Sequence, residues 1–236
     1  MTEKSPDFIA QNVQRIQDEI FRTAAQSKRS PDTIRLMAVT KTNSAERVNQ
    51  AIAAGITLLG ENRAQELMEK FEQYCLPDGA EIHFIGHLQT NKVRQIIDKV
   101  NLIESLDRMS LAAEIDRCAA ERDLVMSVLI ELNIGREESK SGVLPEQLAE
   151  FITKAAAFRH LHIRGLMSIP PREGDAATKE GYFDAIHRHF IDIMAKKIDN
   201  VSMDILSMGM SEDYLLAIKH GSNIIRLGRA IFGERL

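Results

Sequence analysis

The sequence predicts an α/β protein, a single-domain (β/α)8 barrel of the TIM type. Short apolar segments rich in Val, Ile and Leu recur eight times along the 236 residues. Such segments are typical of parallel strands that are buried on both faces. Longer amphipathic segments with a 3.6-residue period follow nearly all of them, as expected for helices outside a barrel. No linker rich in Gly, Pro or Ser divides the chain, so we expect one domain over 1–236. A doubly wound open sheet is the alternative.

The predicted elements begin with an amphipathic helix at about 7–27, which precedes the first strand. The strand candidates, in order, are RLMAVT (35–40), TLLGE (57–61), IHFIG (82–86), LIESL (102–106), MSVLIELN (126–133), HIRGLMSI (162–169), DILSMG (204–209) and IIRLGRA (224–230). Helical periodicity appears in SAERVNQAIAAG, NRAQELMEKFEQY, TNKVRQIIDKV, RMSLAAEIDRCAAERD and LPEQLAEFITKAAAF. The segment PPREGDAATKE (170–180) follows a strand and is interpreted as a loop between strand and helix.

Composition and charge exclude several classes of protein. The formal net charge is −4 and no long run of one sign occurs, so a nucleic-acid surface is not indicated. No segment approaches the roughly 20 apolar residues that span a bilayer, so no membrane role is expected. The charged N-terminus lacks the apolar core of a signal peptide. We therefore expect a cytoplasmic protein.

If the fold is a barrel, its chemistry belongs at the C-terminal ends of the strands. Nearly every predicted strand ends in a polar residue or glycine. These residues are Lys41, Glu61, Asn62, His87, Asp107, Asn133, Ser168, Ser207, Gly209, Arg226 and Gly228. Loops favour such residues in any case, so from the pattern alone Lys41 is better explained as a surface charge.

Two late segments, SMGMSEDYLLAI and GSNIIRLGRAIFG, predict an anion site. Ser211 follows a strand at the position of a helix N-cap, and N–H groups at a helix start attract anions. Gly228 would let the backbone approach a ligand just beyond Arg226. Barrels commonly bind phosphate with the loops after strands seven and eight. The alternatives are a plain N-cap for Ser211 and a surface ion pair for Arg226.

The histidines do not predict a metal site. His187 and His189 lie two apart in a helical segment and therefore face different directions. His160 and His162 share a strand face, but at the entry end and without a third ligand nearby. We expect no metal.

Seven motifs resemble a known family. They are, in this order, AVTKT, GENRAQE, HFIGHLQTNK, NIGREESKSGV, RGLMSIPP, LSMGMSEDYLLAI and IIRLGRAIFG. The resemblance extends from about residue 7 to the C-terminus. Together they closely resemble the pyridoxal phosphate homeostasis proteins. The resemblance implies a barrel similar to the N-terminal domain of alanine racemase. It also implies that the chain binds pyridoxal 5'-phosphate (PLP), which members of the family are thought to buffer and deliver, with no robust catalytic activity.

The resemblance also implies a role for individual residues. Lys41 in AVTKT would hold PLP as a Schiff base, Arg226 would face the pyridine nitrogen, and Asn62 and His87 would line the ring. The phosphate would be held, partly by backbone N–H groups, by Ser207, Gly209, Met210, Ser211, Gly228 and Arg229. Which serine contacts the phosphate stays open. Lys140 is either a solvated loop lysine or a secondary PLP site.

Three functions compete at this point. The first is a PLP carrier that works as a monomer and donates the cofactor to apo PLP-dependent enzymes. The second is a PLP-dependent amino-acid racemase, and the third is an aldolase or phosphosugar isomerase on the same fold. Because the sequence ends directly after the last predicted strand, we expect it to lack the C-terminal β domain that supplies a catalytic tyrosine in alanine racemase. We therefore expect the carrier.

Overall fold

A closed barrel of parallel strands forms the centre of the computed structural model, which describes residues 7–171 and 175–234. Each strand pairs with the next in chain order, and the first pairs with the last. The strands are β1 (Arg35–Val39), β2 (Leu58–Glu61), β3 (Glu81–Phe84), β4 (Leu102–Leu106), β5 (Met126–Leu132), β6 (Leu161–Ser168), β7 (Val201–Ser207) and β8 (Ile224–Leu227). The predicted barrel is confirmed, and the pairing of β1 with β8 excludes the open sheet.

Helices alternate with the strands and surround the barrel. They are α1 (Phe8–Gln26), α2 (Ala45–Ala53), α3 (Ala64–Lys70), α4 (Val93–Ile96), α5 (Met109–Ala120), α6 (Leu148–Ala155), α7 (Ala176–Ala195), α8 (Tyr214–Lys219) and α9 (Arg229–Phe232). Several begin or end in a 3-10 turn, which is why α4 is shorter than its periodic segment predicts. Part of the predicted loop 170–180, residues 172–174, lies outside the described residues.

Apolar side chains pack against both the inner and the outer side of the barrel wall. Met37, Leu58, Leu102, Leu129 and Met167 are buried together inside it. A second, larger cluster lies between the strands and the helices. Because successive strand residues point to opposite faces, a strand with apolar residues on both sides must lie in such a wall. The double burial explains the continuous apolar runs in the sequence.

The first helix covers the wall near the chain's last elements. Ile9, Val13, Ile16 and Ile20 recur at helical spacing and are all buried. They face α8 and α9, and Asn12 donates a hydrogen bond from Nδ2 to the Ile231 carbonyl at 3.0 Å. The predicted helix at about 7–27 is therefore observed, and its apolar face explains its position.

The eighth strand is shorter than predicted, and the seventh is longer. β8 ends at Leu227, whereas the sequence predicted a strand as far as residue 230. The apolar Ile231 and Phe232 are buried as part of a short helix instead, so hydrophobicity alone could not distinguish the two states. β7 begins three residues early, at Val201, because that residue already pairs with Ile163 of β6.

Within the described residues, no helix is both long enough and apolar enough to cross a membrane.

Candidate functional site

Lys41 lies at the open end of the barrel, directly after β1. The preceding Thr40 is fully buried, and its N–H and hydroxyl both donate to the Gly60 carbonyl at 3.1 Å. The following Thr42 has a φ of +64°, which is unusual for a β-branched residue, and its N–H donates to Glu66 Oε2 at 3.0 Å. The backbone on both sides of Lys41 is therefore held in place, so the side chain extends from a fixed point.

The loops after β2 and β3 meet beside this lysine. Asn62 Oδ1 is buried and has no hydrogen-bond partner among the described residues. Gly86 packs on the Asn62 backbone so closely that a Cβ would lie 2.0 Å from the Asn62 carbonyl oxygen. Only glycine fits there, which fixes Asn62 at the mouth. An orphaned buried amide oxygen is unusual and calls for a partner that the chain itself does not supply.

His87 lies farther out, where three loops meet. Its side chain is half exposed, and Nδ1 lies 3.1 Å from Ser141 Oγ and 3.5 Å from Asp107 Oδ2. The contacts join the loops after β3, β4 and β5. Lys140, in the same loop as Ser141, forms an ion pair with Glu137.

Arg226 is the central charge of the barrel mouth. It is only 4 % exposed. Nη1 donates to Ser207 Oγ at 2.7 Å, and Nη2 donates to the Ser168 carbonyl at 2.9 Å. Within the described residues, these bonds use two of the five N–H groups of a guanidinium. Arg226 is therefore buried rather than a surface ion pair, and it retains hydrogen-bonding capacity.

A chain of buried polar groups lies behind Arg226. Ser207 donates to Glu104 Oε2 at 2.6 Å, and Glu104 Oε1 lies 2.8 Å from His83 Nδ1. The other ring nitrogen, Nε2, lies 2.9 Å from Glu81 Oε2. Ser207, Glu104 and His83 are all fully buried. Sequence reasoning missed Glu104 and His83, although a charged residue inside the apolar runs LIESL and IHFIG was a usable signal.

The protonation of this chain follows from its contacts. Burial by itself would lower the pKa of His83, but the hydrogen bonds to Glu104 and Glu81 raise it above its usual value. Burial by itself would raise the pKa of Glu104, but the hydrogen bond with His83 and the nearby Arg226 charge hold it below its usual value. A hydrogen bond from His83 lowers the pKa of Glu81 to about 2. Each ring nitrogen of His83 thus faces a carboxylate, an arrangement that favours the cationic form of the ring.

We predict a pH dependence of stability that belongs to His83. The pKa of His83 is raised in the folded state. Its contribution to the free energy of unfolding is therefore complete below the unfolded-state pKa of about 6.5, and it is lost as pH rises through the folded-state pKa. The difference in melting temperature between wild type and His83→Gln should therefore shrink as pH rises above about 6.5. Thermal unfolding of the ligand-free protein across pH measures it.

His162→Gln is the matched control for this experiment. His162 is a β6 residue with no side-chain hydrogen bond or ion pair among the described residues. A difference curve for His83→Gln that is flat above pH 6.5, or that rises, would contradict the raised pKa.

The two predicted phosphate segments are brought together. Ser211 Oγ accepts a hydrogen bond from the Ala230 N–H at 3.3 Å, which joins the loop after β7 to the start of α9. Gly209 has a φ of +94°, and the Met210 N–H donates to Asp213 Oδ1 at 2.6 Å. A Cβ on Gly228 would meet its nearest protein atoms only at 3.6 Å. The chain's own packing therefore does not require glycine there. We call the loop after β7 together with the start of α9 the cradle.

Two of the predicted phosphate residues point elsewhere with their side chains. The Arg229 guanidinium is paired with Glu212 and lies 4.0 Å from Glu234. Its backbone begins α9. The Ser207 hydroxyl is engaged by Arg226 and Glu104, as described above.

A further carboxyl group lies at the barrel mouth and was not predicted from the sequence. Glu131 is the penultimate residue of β5 and is partly buried. Burial, and then the nearby Asp107 charge, raise the pKa of Glu131 to about 7, against the opposing effect of Arg226. This carboxyl can therefore exchange a proton near neutral pH. No group of three or more His, Cys, Asp or Glu side chains in the described part of the chain is arranged to hold a metal ion.

Comparison with known proteins places the chain in a family. The family model for the N-terminal domain of alanine racemase matches residues 7–236. The chain is 37 % identical over 228 residues to the pyridoxal phosphate homeostasis protein of Pasteurella multocida, covering 96 % of this chain and 97 % of that one. It is 38 % identical over 226 residues to that of Aquifex aeolicus, covering 95 % and 97 %.

A solved structure agrees with these relatives. PipY of Synechococcus elongatus, determined with PLP bound, superimposes with a TM-score of 0.78 at 31 % identity, covering 91 % of this chain and 100 % of that chain. The chain therefore belongs to the family of pyridoxal phosphate homeostasis proteins.

Proposed function

We propose that this chain binds PLP at the open end of its barrel, covalently through Lys41, and serves intracellular PLP homeostasis. The observation that carries the proposal is that Lys41 follows β1 and Arg226 lies on β8, the strand paired with β1 where the barrel closes. Met37 and Val39 line the barrel interior, and Lys41 follows Val39 by two residues at the rim. We propose that its amine and the buried Arg226 guanidinium reach the same space.

The residues present fit the parts of PLP. Bound PLP supplies an aldehyde that condenses with a primary amine and a ring that can act as an electron sink. Lys41 provides the amine, Arg226 has N–H groups left for a ring nitrogen, and Asn62 has an orphaned oxygen that a ligand donor would satisfy. His87 closes the outer side. The relative whose structure contains PLP supports this assignment.

The phosphate end is assigned to the cradle between β7 and α9. We assign it to the Ser211 hydroxyl and to the backbone N–H groups of Gly209, Gly228 and Arg229, whereas the Met210 N–H already donates to Asp213 Oδ1. Free N–H groups at a helix start favour an anion. Ser207 is assigned to Arg226 rather than to the phosphate, because its hydroxyl already has two buried partners.

We predict that Ser211→Ala weakens PLP binding by roughly tenfold or more. A hydrogen bond to a charged group contributes about 1.5–3 kcal/mol, which sets this scale. Binding of pyridoxal, which has no phosphate, should change little. Absorbance titration with both ligands measures the two affinities.

Ser202→Ala is the matched control, because Ser202 is an exposed serine at the opposite end of the same strand, β7. An equal loss of pyridoxal and PLP affinity in Ser211→Ala would assign the serine to the fold and not to the phosphate.

Arg226 also favours a carrier over a catalyst. Many PLP enzymes place a carboxylate at the ring nitrogen, which keeps the nitrogen protonated and makes the ring a strong electron sink. An arginine stays charged and disfavours that protonation. The same arrangement occurs in racemases, so this supports the carrier without deciding it.

The experiment that tests the proposal is a visible spectrum of the purified protein with PLP, before and after borohydride, followed by peptide mapping. The expected result is a visible band that borohydride removes and an adduct on Lys41. An aldolase or phosphosugar isomerase would give no band. PLP-loaded protein should also reactivate an apo PLP-dependent enzyme, which we propose as the recipient class. Action as a monomer in the cytoplasm stays a prediction.

A further inference from the structure

We infer that Glu104, together with His83 and Ser207, forms a positioning chain that fixes the Arg226 guanidinium and its charge environment for the cofactor ring. The inference rests on the proposed function, because an aimed guanidinium matters only if a ring nitrogen lies before it. None of the three residues is expected to touch the ligand. Each acts through the next.

The chain is continuous from one end of the barrel to the other. Arg35 and Glu81, the first residues of β1 and β3, form an ion pair at 3.1 Å. From Glu81 the contacts run through His83 to Glu104, and each contact is 2.9 Å or shorter. From Glu104 they run through Ser207 at 2.6 Å and reach Arg226 Nη1 at 2.7 Å. Five strands thus contribute one continuous hydrogen-bonded line.

Burying the polar groups of this line costs free energy of folding, so its presence calls for an explanation. Glu104, His83 and Ser207 have no exposed surface, and their neighbours inside the barrel are apolar side chains such as Leu102 and Leu129. Buried ion pairs can often be replaced by apolar residues of similar volume without loss of stability. Packing alone therefore does not account for the two ionisable side chains, Glu104 and His83, in this apolar interior. The line does, however, give Arg226 a defined position and a nearby negative charge.

The geometry leaves Arg226 with little freedom. Ser207 holds Nη1 and the Ser168 carbonyl holds Nη2, so the plane of the guanidinium is fixed by two strands. Glu104 lies one hydrogen bond behind and contributes the main stabilising charge for the buried Arg226 cation. If Ser207 loses its hydroxyl, the Nη1 anchor is lost and the Glu104 carboxylate is no longer connected to the arginine.

A purely structural line would behave differently from a positioning line. If it only pinned the register of the strands, its loss would lower the melting temperature and leave the cofactor's ring nitrogen unaffected. If it positions Arg226, its loss alters the interaction with the ring nitrogen specifically. A PLP analogue in which carbon replaces the ring nitrogen (1-deaza-PLP) separates the two roles, because it offers Arg226 no acceptor.

The test compares wild type, Ser207→Ala and Glu104→Gln. Ser222→Ala is the matched control, because Ser222 is another fully buried serine, whose hydroxyl contacts only backbone carbonyls of β7 and β8 and their connection. The readouts are PLP affinity, 1-deaza-PLP affinity, the pH midpoint of the visible band of lysine-bound PLP, and melting temperature.

We expect Ser207→Ala and Glu104→Gln to weaken PLP binding about tenfold or more, on the scale of a lost charge-assisted hydrogen bond. Neither should weaken 1-deaza-PLP binding comparably. In Glu104→Gln the pH midpoint of the visible band should fall. The substitution removes a negative charge that favours the protonated, cationic form of the bond between lysine and PLP. Ser222→Ala should lower the melting temperature and leave affinity and midpoint unchanged.

The outcomes separate this inference from the function it rests on. If wild type yields no Lys41 adduct, the proposed function fails. If wild type yields that adduct but both variants keep the PLP affinity and midpoint of wild type, or lose both ligands equally, the positioning role alone is overturned. Should Glu104→Gln not fold, Ser207→Ala decides, since it leaves the buried charges of Glu104 and His83 paired.

Discussion

Lys41→Ala is expected to abolish the borohydride-stable adduct and the visible band of bound PLP. The reason is chemical: a Schiff base requires a primary amine at a fixed position, and alanine offers none. The backbone on either side of residue 41 is held by Thr40 and Thr42 independently of the lysine side chain, so the barrel should still form. Non-covalent PLP binding through the phosphate cradle should remain, but weaker. Absorbance spectra and mass spectrometry after reduction measure the effect.

Lys140→Ala is the control for this substitution. Lys140 belongs to the loop after β5 and forms an ion pair with Glu137, so its removal should leave the band and the adduct intact. Lys70 is the other lysine to follow, because its Nζ lies 3.3 Å from the Thr40 carbonyl and 3.5 Å from the buried Glu61. An adduct that maps to Lys70 or Lys140 in protein with an intact Lys41 would refute the assignment.

The fold could be predicted from the sequence because the barrel imposes a simple pattern. Every strand lies between an inner and an outer apolar layer, so each appears as a short continuous apolar run. The prediction was wrong at the end of β8, because residues 228–230 leave the strand and Arg229 begins a short helix in which Ile231 and Phe232 are buried. A buried apolar residue has the same sequence signature in a short helix and in a strand, and only the packing against α1 distinguishes them.

The candidate site could be predicted where residues follow a strand or belong to one of the seven motifs, as Arg226 within β8 does. Lys41 and Ser211 lie at strand exits, and such positions can be found once the barrel is assumed. Glu104, His83 and Glu131 lie within strands, where their inward direction depends on the parity of each strand and on the bulge between β4 and β5. In the sequence, Glu104 lies 21 residues from His83 and 103 residues from Ser207. No local pattern encodes such contacts.

The tyrosines illustrate why the structure bears on catalysis. Racemisation of an amino acid requires an acid or base on each face of the α-carbon, and Lys41 can serve one face. The Tyr74 hydroxyl donates to the buried Glu61, and the Tyr214 hydroxyl donates to Glu19 of α1. Burial raises the pKa of both phenols, Tyr74 and Tyr214, well above the usual value. Neither is therefore suited to act as the second base.

We accordingly expect PLP-loaded protein to exchange the α-proton of L-alanine far more slowly than a racemase. A missing acid or base typically costs 10²- to 10⁴-fold in rate, so exchange should fall well below about 1 s⁻¹, the slow end of ordinary enzymes. Proton NMR in deuterated buffer measures the loss of the α-proton signal, and free PLP at equal concentration is the control.

The mouth does hold one carboxyl that titrates near neutral pH, Glu131. Exchange at about 1 s⁻¹ or faster that is lost in Glu131→Gln would identify Glu131 as the second base and make the protein an enzyme. Exchange no faster than with free PLP, in wild type and in Glu131→Gln alike, supports the carrier, because a single positioned amine holds the cofactor without completing the proton transfer that turnover requires.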